Sequence, residues 1–257
     1  MQAQRYWVAP SSANWSNPAN WSLQSGGPGG ASVPQAGDQV HFDENGLGNC
    51  ILDRDVHIES IRIQEYTSTI QLNGYIFRVN GEGTNIFEDG LIDDVTAASF
   101  FQIDFRGTSR FTGTIFNVEV DITSDRLYLN GSTFLKDARF VKNAGGNDIN
   151  EGGNVFGGEV EFLLSGAGNW ITAATNSDTY LANVQITNNS SKLLDFCQSN
   201  RGNLITGDLS VHNQGAGNIT LARSSSSIFQ ITGDLIVQHT GLSGNVMLAN
   251  EGDLVIG

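Results

Sequence analysis

The chain has 257 residues, of which 39% are hydrophobic and 16% charged, and its formal net charge is −14. This length is enough for a sizeable core, built as one long domain or as two ordinary ones. The negative charge repels phosphates and anionic lipid surfaces, and no apolar run approaches the roughly 18 residues of a transmembrane helix. We therefore expect no nucleic acid among the partners and no direct insertion into a membrane.

The first 45 residues are rich in aromatic side chains and are predicted to form an N-terminal cap. Their start, "MQAQRYW", lacks the basic and apolar regions of a signal peptide, whereas "QAQ" is typical of residues beside a signal cleavage site. We therefore expect a mature secreted N-terminus, with Met1 added for expression.

Within this cap, "SSANWSNPANWSLQSGG" (11–27) contains Asn-Trp-Ser twice. Trp7, Trp15 and Trp21 are suited to stacking on sugars, and the two asparagines are glycosylation acceptors if the chain follows a eukaryotic secretory route. The Asn-Pro pair between the tryptophans predicts a turn, which argues against a flat platform. We predict that Trp15 and Trp21 are buried and seal the first coil, and sugar binding is the alternative.

Residues 46–257 show alternation of apolar and polar residues in short runs separated by Gly, Asn, Asp and Ser. The alternation predicts irregular first coils over 46–110 and regular coils over 111–257. In the regular part, an apolar residue is followed four positions later by the apolar residue that anchors a strand. These pairs are Phe116/Val120, Phe134/Ala138, Phe156/Val160, Tyr180/Val184, Ile205/Leu209 and Ile231/Leu235.

A second strand is predicted ten or eleven positions after each later anchor, near Ile171, Leu194, Ile219 and Val246. Such self-similarity predicts an all-β fold, a parallel β-solenoid or β-helix with about 18–26 residues per coil. An antiparallel sandwich is the alternative for the first half, because "LNG" at 72–74 and 129–131 is typical of hairpin turns.

Two acidic, glycine-containing stretches are candidate cation sites. They supply Glu88, Asp89, Asp93 and Asp94 from the first stretch, and Asp148 and Glu151 from the second. Oxygen-rich loops are what Ca²⁺ selects, although neither stretch matches an EF-hand or a calcium-binding β-roll. A structural calcium ion is therefore one hypothesis and solvated turns are the other, and no further cofactor is expected.

Other polar residues recur at equivalent places in successive repeats. Asp208 and Asp234 each lie in "ITGDL", and Asn169, Asn218 and Asn245 precede equivalent strands. Stacked asparagines form hydrogen-bonded ladders, whereas stacked aspartates repel one another unless they are exposed or bridged by a cation. We interpret these positions as architecture.

The two cysteines, Cys50 and Cys197, are 147 positions apart and belong to no metal-binding motif. We expect both to be buried and to pack as small hydrophobic residues.

Catalysis is not expected from this sequence. The four histidines are scattered, no nucleophile or metal-hydrolase motif is present, and 13 Lys and Arg residues are few for a lyase of acidic polymers. Carboxylates are plentiful, so a polysaccharide-degrading or polysaccharide-binding β-helix is kept as the alternative function.

One longer pattern resembles a known family. "RYWVAPSSANWSNPANWSLQSGGPGGASVPQAGDQVHFDENG" (5–46) resembles the module that opens giant cell-surface adhesins of the Bacteroidetes, and the coils that contain "GAGNW" and "GAGNI" are similar to their solenoid repeats. The stretch "VAPSS" at 8–12 departs from the "VGGSG"-like stretch that is typical there.

The resemblance implies a secreted adhesin, exported by the type IX secretion system and in some relatives used in gliding motility. It implies an extracellular, cell-surface location and a rigid display rod that makes multivalent weak contacts with surface polysaccharide or another extracellular surface. Because the chain ends on "EGDLVIG", without a polar cap, we expect a truncated solenoid or a partner chain that covers its last coil.

Overall fold

A computed structural model describes residues 3–96, 98–199, 202–224, 228–249 and 252–257. The chain forms two compact units, Met1–Asp121 and Ile122–Gly257. The described residues contain β-strands, one 3-10 helix (Pro18–Asn20) and no α-helix. Each unit is a stack of coils whose strands pair in parallel, so the predicted fold class, an all-β parallel β-solenoid, is confirmed.

Thirteen short strands form the first unit, and a fourteenth spans its boundary with the second. They are β1 (Gln4–Trp7), β2 (Ala13–Asn14), β3 (Trp21–Ser22), β4 (Gln39–Phe42), β5 (Cys50–Ile51), β6 (Val56–Ile58), β7 (Ser60–Ile63), β8 (Thr69–Gln71), β9 (Ile76–Val79), β10 (Glu82–Glu88), β11 (Leu91–Asp93), β12 (Phe100–Thr112), β13 (Ile115–Asn117) and β14 (Glu119–Asn130).

Apolar side chains stack from coil to coil inside the first unit. Ile63 pairs with Phe87, and Phe87 pairs with Phe111, whose ring lies 4.8 Å away in a stacked arrangement. All three residues are buried. Each coil therefore buries its inward face against the coils on either side, as a solenoid requires.

The second unit repeats this arrangement with three short strands in most coils. They are β15 (Thr133–Phe134), β16 (Ala138–Lys142), β17 (Asp148–Ile149), β18 (Val155–Phe156), β19 (Val160–Leu164), β20 (Trp170–Ile171), β21 (Thr179–Tyr180), β22 (Val184–Asn188), β23 (Leu194–Phe196), β24 (Asn203–Ile205), β25 (Leu209–Asn213), β26 (Ile219–Leu221), β27 (Ile228–Ile231), β28 (Leu235–His239), β29 (Val246–Met247) and β30 (Asp253–Ile256).

The predicted repeat register is confirmed in this unit. Ala138, Val160, Val184, Leu209 and Leu235 are successive strand partners. The phenylalanine, tyrosine and isoleucine positions that precede them are also aligned, from Phe134 to Ile231. The strand predicted near Ile171 is present as β20, and within it Trp170 is the residue that pairs with Leu194, because the indole of Trp170 occupies the buried place.

The antiparallel sandwich alternative is wrong. Among the described strands, the antiparallel pair is β1 with β3, and the coils pair in parallel. Asn73 and Gly74, from the first "LNG", both have a positive φ, at 52° and 89°. They turn the chain from β8 into β9, which pairs with strands of neighbouring coils. The Asn-Gly pair that is typical of a hairpin turn therefore forms the turn between β8 and β9, which belong to different sheets of the solenoid.

Both cysteines are free and buried, as predicted. Cys197 has a positive φ of 58° directly after β23, and the alanines Ala173 and Ala222 adopt the same backbone conformation directly after or near the equivalent strands. A small side chain suits this corner, because a larger one adds strain to a left-handed residue. Cys197 thus occupies a position that is taken by alanine in the neighbouring coils.

Side-chain oxygens connect successive coils along the turns. The backbone N–H of Asp234 donates to Oδ1 of Asp208 at 2.8 Å, and that of Asn245 donates to Oδ1 of Asn218 at 2.9 Å. The predicted asparagine ladder is therefore present between Asn218 and Asn245. Asp208 and Asp234 also stack, since a backbone donor of the next coil faces the Asp208 carboxylate.

A second ladder is buried in the core of this unit and had no counterpart among the sequence predictions. The N–H of Asn154 donates to Oδ1 of Asp178 at 2.8 Å, and the N–H of Asp178 donates to Oδ1 of Asn203 at 3.0 Å. Tyr180 donates its hydroxyl to Oδ2 of Asp178 at 3.2 Å. Burial raises the pKa of Asp178 to about 6, although the donors from Asn154 and Tyr180 oppose the shift.

We expect Asp178→Asn to stabilise the protein at neutral pH and not at pH 4. The pKa of Asp178 is about 6 in the folded protein and near 4 in the unfolded chain, so ionisation of this carboxyl is less favourable in the folded state. The free energy of unfolding therefore falls by about 3 kcal/mol as the pH rises from about 4 through about 6. An amide side chain is expected to fit at position 178, because asparagines, Asn154 and Asn203, occupy the equivalent positions in the neighbouring coils. The free energy of unfolding of both proteins, measured by urea titration from pH 4 to 8, gives the difference.

Asp208→Asn makes the same chemical change on the solvent-facing ladder and is the matched control. A difference between Asp178→Asn and the wild type that does not change with pH contradicts this account of Asp178.

Candidate functional site

The three tryptophans predicted as ligand or plug residues lie together at the start of the first unit. The indole of Trp21 packs edge-to-face on Trp7 at 5.1 Å and on Trp15 at 4.6 Å, with Phe42 beside all three. Trp7 donates its indole N–H to the carbonyl of Gly48, and Trp21 donates to the carbonyl of Trp15. The antiparallel pair β1–β3 brings Trp7 and Trp21 directly opposite each other.

Burial of Trp15 and Trp21 is confirmed, at 1% and 0% exposure, and Trp7 is also at 0%. The rings pack on one another and on Phe42, so no indole face is open for a sugar to stack on. The alternative, in which the tryptophans form a flat platform for sugar, is therefore wrong, because the ring faces are packed in the core. Trp15 nevertheless forms part of the wall of a surface cleft described below.

We expect Trp21→Ala to lower the free energy of unfolding by about 3–5 kcal/mol, since it leaves a cavity among buried aromatic rings. Urea titration followed by tryptophan fluorescence measures the loss. Leu23→Ala, two residues away at 67% exposure, is the control and leaves stability nearly unchanged. If the two variants have the same free energy of unfolding, Trp21 does not stabilise the first coil by its burial.

The acidic residues of the first candidate calcium stretch are used by the protein itself. Glu88 accepts a hydrogen bond from the Gln64 side chain at 2.8 Å, and Asp93 accepts one from Asn117 at 2.8 Å. Asp89 lies in a turn with a φ of 60°. These residues are distributed over β10, β11 and the turn between them, with partners in neighbouring coils.

Asp94 closes the turn that follows β11. One carboxylate oxygen accepts from the N–H and hydroxyl of Thr96, and the other accepts from the N–H groups of Ala98 and Ser99, all at 2.7–3.0 Å. Burial raises the pKa of Asp94, but these donors outweigh it and hold the pKa well below its usual range. Both oxygens thus accept hydrogen bonds within the turn, and calcium binding by Asp94 stays a prediction.

We expect Asp94→Ala to cost about 1–3 kcal/mol of unfolding free energy at neutral pH, since buried backbone donors lose their acceptor. The cost shrinks in acid, because a carboxylate with a lowered folded pKa stabilises above its unfolded pKa and loses that effect as the pH falls. Thermal unfolding at pH 7 and pH 3 measures both. Glu119→Ala, at an exposed acidic position outside the residues with a positive φ, is the control.

The second stretch divides between the core and the surface. Asp148 is buried at 0% exposure, with Arg126 Nε 2.8 Å from one oxygen and Lys142 Nζ 3.4 Å from the other, whereas Glu151 is exposed. Burial lowers the pKa of Lys142, and Asp148 opposes that shift. Asp148 is therefore paired with two cations of the protein, the part-exposed Arg126 and the buried Lys142, and its role as a calcium ligand stays a prediction.

Lys142 also donates to the carbonyl of Asp125, in β14, and to the carbonyl of Ala167, in the turn between β19 and β20. A buried charge pair of this kind is costly to break, because each partner leaves the other unpaired. Among the described residues, no group of three or more His, Cys, Asp or Glu side chains is placed to hold a metal ion. Bound calcium thus stays a hypothesis for the acidic residues of the two stretches.

Two adjoining clefts on the first unit form the candidate functional site. The first, of about 260 Å³, is lined by Trp15, Val33, Pro34, Gln35, Ala36, Arg54, Asp55, Val56 and His57. The second, of about 280 Å³, is lined by His57, Arg78, Val79, Asn80, Gln102 and Asp104. His57 belongs to both, so the two clefts form one continuous surface, which we name the His57 groove.

Parallel strand pairing places the central side chains of the groove in a row. His57 on β6 pairs with Arg78 on β9, and Arg78 pairs with Gln102 on β12. Arg78 Nε donates to Oε1 of Gln102 at 3.1 Å. The inward neighbours Val56, Ile58, Phe77 and Val79 are buried, so the outward row rests on a packed core.

This row of side chains is not predicted by the sequence. In the sequence, His57, Arg78 and Gln102 are separated by 21 and 24 positions and lie in the part predicted as irregular coils. The available signal was alternation within each strand, as in Val56-His57-Ile58, which predicts an outward polar residue. Alignment of the three residues requires the register of the coils.

Comparison of the chain with protein-family models, with curated proteins and with solved structures gave no significant match. Within the described part of the chain, no helix has the length and apolar character needed to cross a membrane.

Proposed function

We propose that this chain is a display and binding module of a secreted bacterial cell-surface adhesin, and that it makes many weak contacts with extracellular surfaces. The observation that carries the proposal is the His57 groove, a shallow polar surface assembled from side chains of successive coils. A surface of this kind suits repeated weak contacts better than tight binding of one small molecule, which favours a mostly apolar pocket.

Two further features support this function. A stack of coils with buried aromatic columns and coil-to-coil ladders is a rigid scaffold, which keeps outward side chains at fixed spacing. The resemblance of residues 5–46 to the opening module of Bacteroidetes adhesins supports secretion by the type IX system and a role at the cell surface, including in gliding.

The test compares single molecules with dense arrays. Beads that carry the protein at increasing density are expected to adhere to polysaccharide-coated surfaces about 10²–10⁴-fold more strongly than the single protein, since weak contacts add through effective concentration. Adhesion that is independent of protein density contradicts the proposed function.

The competing function is polysaccharide degradation, favoured by exposed carboxylates such as Asp104 in the groove. Incubation with neutral and acidic polysaccharides, followed by assay for new chain ends, distinguishes the two. Cleavage that is lost in Asp104→Asn contradicts a purely adhesive role.

A further inference from the structure

We propose that the His57 groove binds a neutral, hydroxyl-rich polysaccharide strand that runs across β6, β9 and β12, along the direction in which the coils stack. This inference rests on the proposed binding function and adds the ligand class and its direction. It is carried by the chemistry of the groove, its charge balance and the spacing of its rows.

The second cleft is lined mainly with planar polar groups that have two or three hydrogen-bonding atoms each. His57, Arg78 and Gln102 form the central row; Asn80 lies directly after β9, two positions beyond Arg78, and Asp104 lies on β12, two positions beyond Gln102 and on the same outward side. Guanidinium, amide and carboxylate groups each bind two neighbouring oxygens or hydroxyls at once. Adjacent hydroxyls on a sugar ring match this geometry.

The charges of the groove balance although those of the chain do not. The lining contains two arginines, Arg54 and Arg78, and two aspartates, Asp55 and Asp104, so it is formally neutral with His57 uncharged, whereas the chain carries −14. An acidic polymer meets repulsion from the whole chain and gains no local excess of cations. A neutral polymer avoids both penalties and still finds donors and acceptors.

A peptide is a poorer fit for the groove. The backbone groups of β9, at the centre of the groove, are already paired with β6 on one side and β12 on the other, so an incoming strand finds no free sheet edge at the central row. Among the described strands, β6 pairs with β9 alone. The apolar residues beneath the row, such as Val56 and Val79, are at 4% and 1% exposure and offer no pocket for an apolar side chain. Peptide recognition commonly depends on one of these two features.

The direction follows from the strand spacing. Rows on neighbouring parallel strands lie about 4.8 Å apart, so the path from His57 to Gln102 spans roughly 10 Å, or roughly two or three linked sugar rings. A ligand that bridges both clefts must therefore be an oligomer. Longer oligosaccharides are expected to bind better than disaccharides until the groove is filled.

Affinity electrophoresis of the whole chain tests this proposal, with gels that contain β-glucan, xylan, mannan, alginate or polygalacturonate. At least one neutral polymer is expected to retard the wild type. Arg78→Ala is expected to weaken that retardation about tenfold, since one charge-assisted hydrogen-bonding group is lost. Arg110→Ala, an exposed arginine of β12 outside the groove, is the matched control and keeps wild-type retardation.

Three results overturn the proposal: retardation by the acidic polymers alone, no retardation by any of the neutral polymers, or equal behaviour of Arg78→Ala and Arg110→Ala. Because Arg78 and Arg110 are exposed, both variants are expected to melt like the wild type, which a thermal scan checks.

The bead experiment remains a separate readout. If bead adhesion grows with density while Arg78→Ala binds normally, the ligand assignment fails and the adhesive function stands.

Discussion

Parallel register between successive coils is the constraint on which the rest of this structure depends. Each strand satisfies its backbone groups only on the coils before and after it, so every residue has a fixed neighbour one coil away. Phe134, Phe156 and Tyr180 show the result, since their rings stack at 5.4 and 4.8 Å, nearly parallel. The same register brings polar residues into rows.

Polar groups inside such a stack need partners from neighbouring coils, because water does not reach them. Asp178 receives donors from Asn154 and Tyr180, and Asp148 receives Arg126 and Lys142. Asn154 and Arg126 each lie one coil away from the aspartate that they contact, whereas Tyr180 and Lys142 belong to the same coil as theirs. These contacts fix the coils in one register, which an apolar core alone specifies less strictly.

The outward side of the same register produces the His57 groove. A row of side chains from three strands lies at constant spacing, which suits a ligand that is itself a repeating polymer. The lining of the groove exposes polar and apolar area in similar amounts and contains two arginines and two aspartates, so the proposed binding draws on hydrogen-bond geometry as well as on apolar contact. The rigid core beneath it holds that geometry without a large deep pocket.

The sequence by itself determined the repeat, the inward anchors from Ala138 to Leu235, the burial of Trp15 and Trp21 and the free buried cysteines. These features are encoded locally, by apolar alternation and by spacing within one coil. Only the tertiary structure decided that Trp170, rather than Ile171, fills the core, that Asp94 and Asp148 bind protein donors, and that His57, Arg78 and Gln102 form a row. The physical reason is that each of these depends on which residue lies one coil away, and coil lengths vary along the chain.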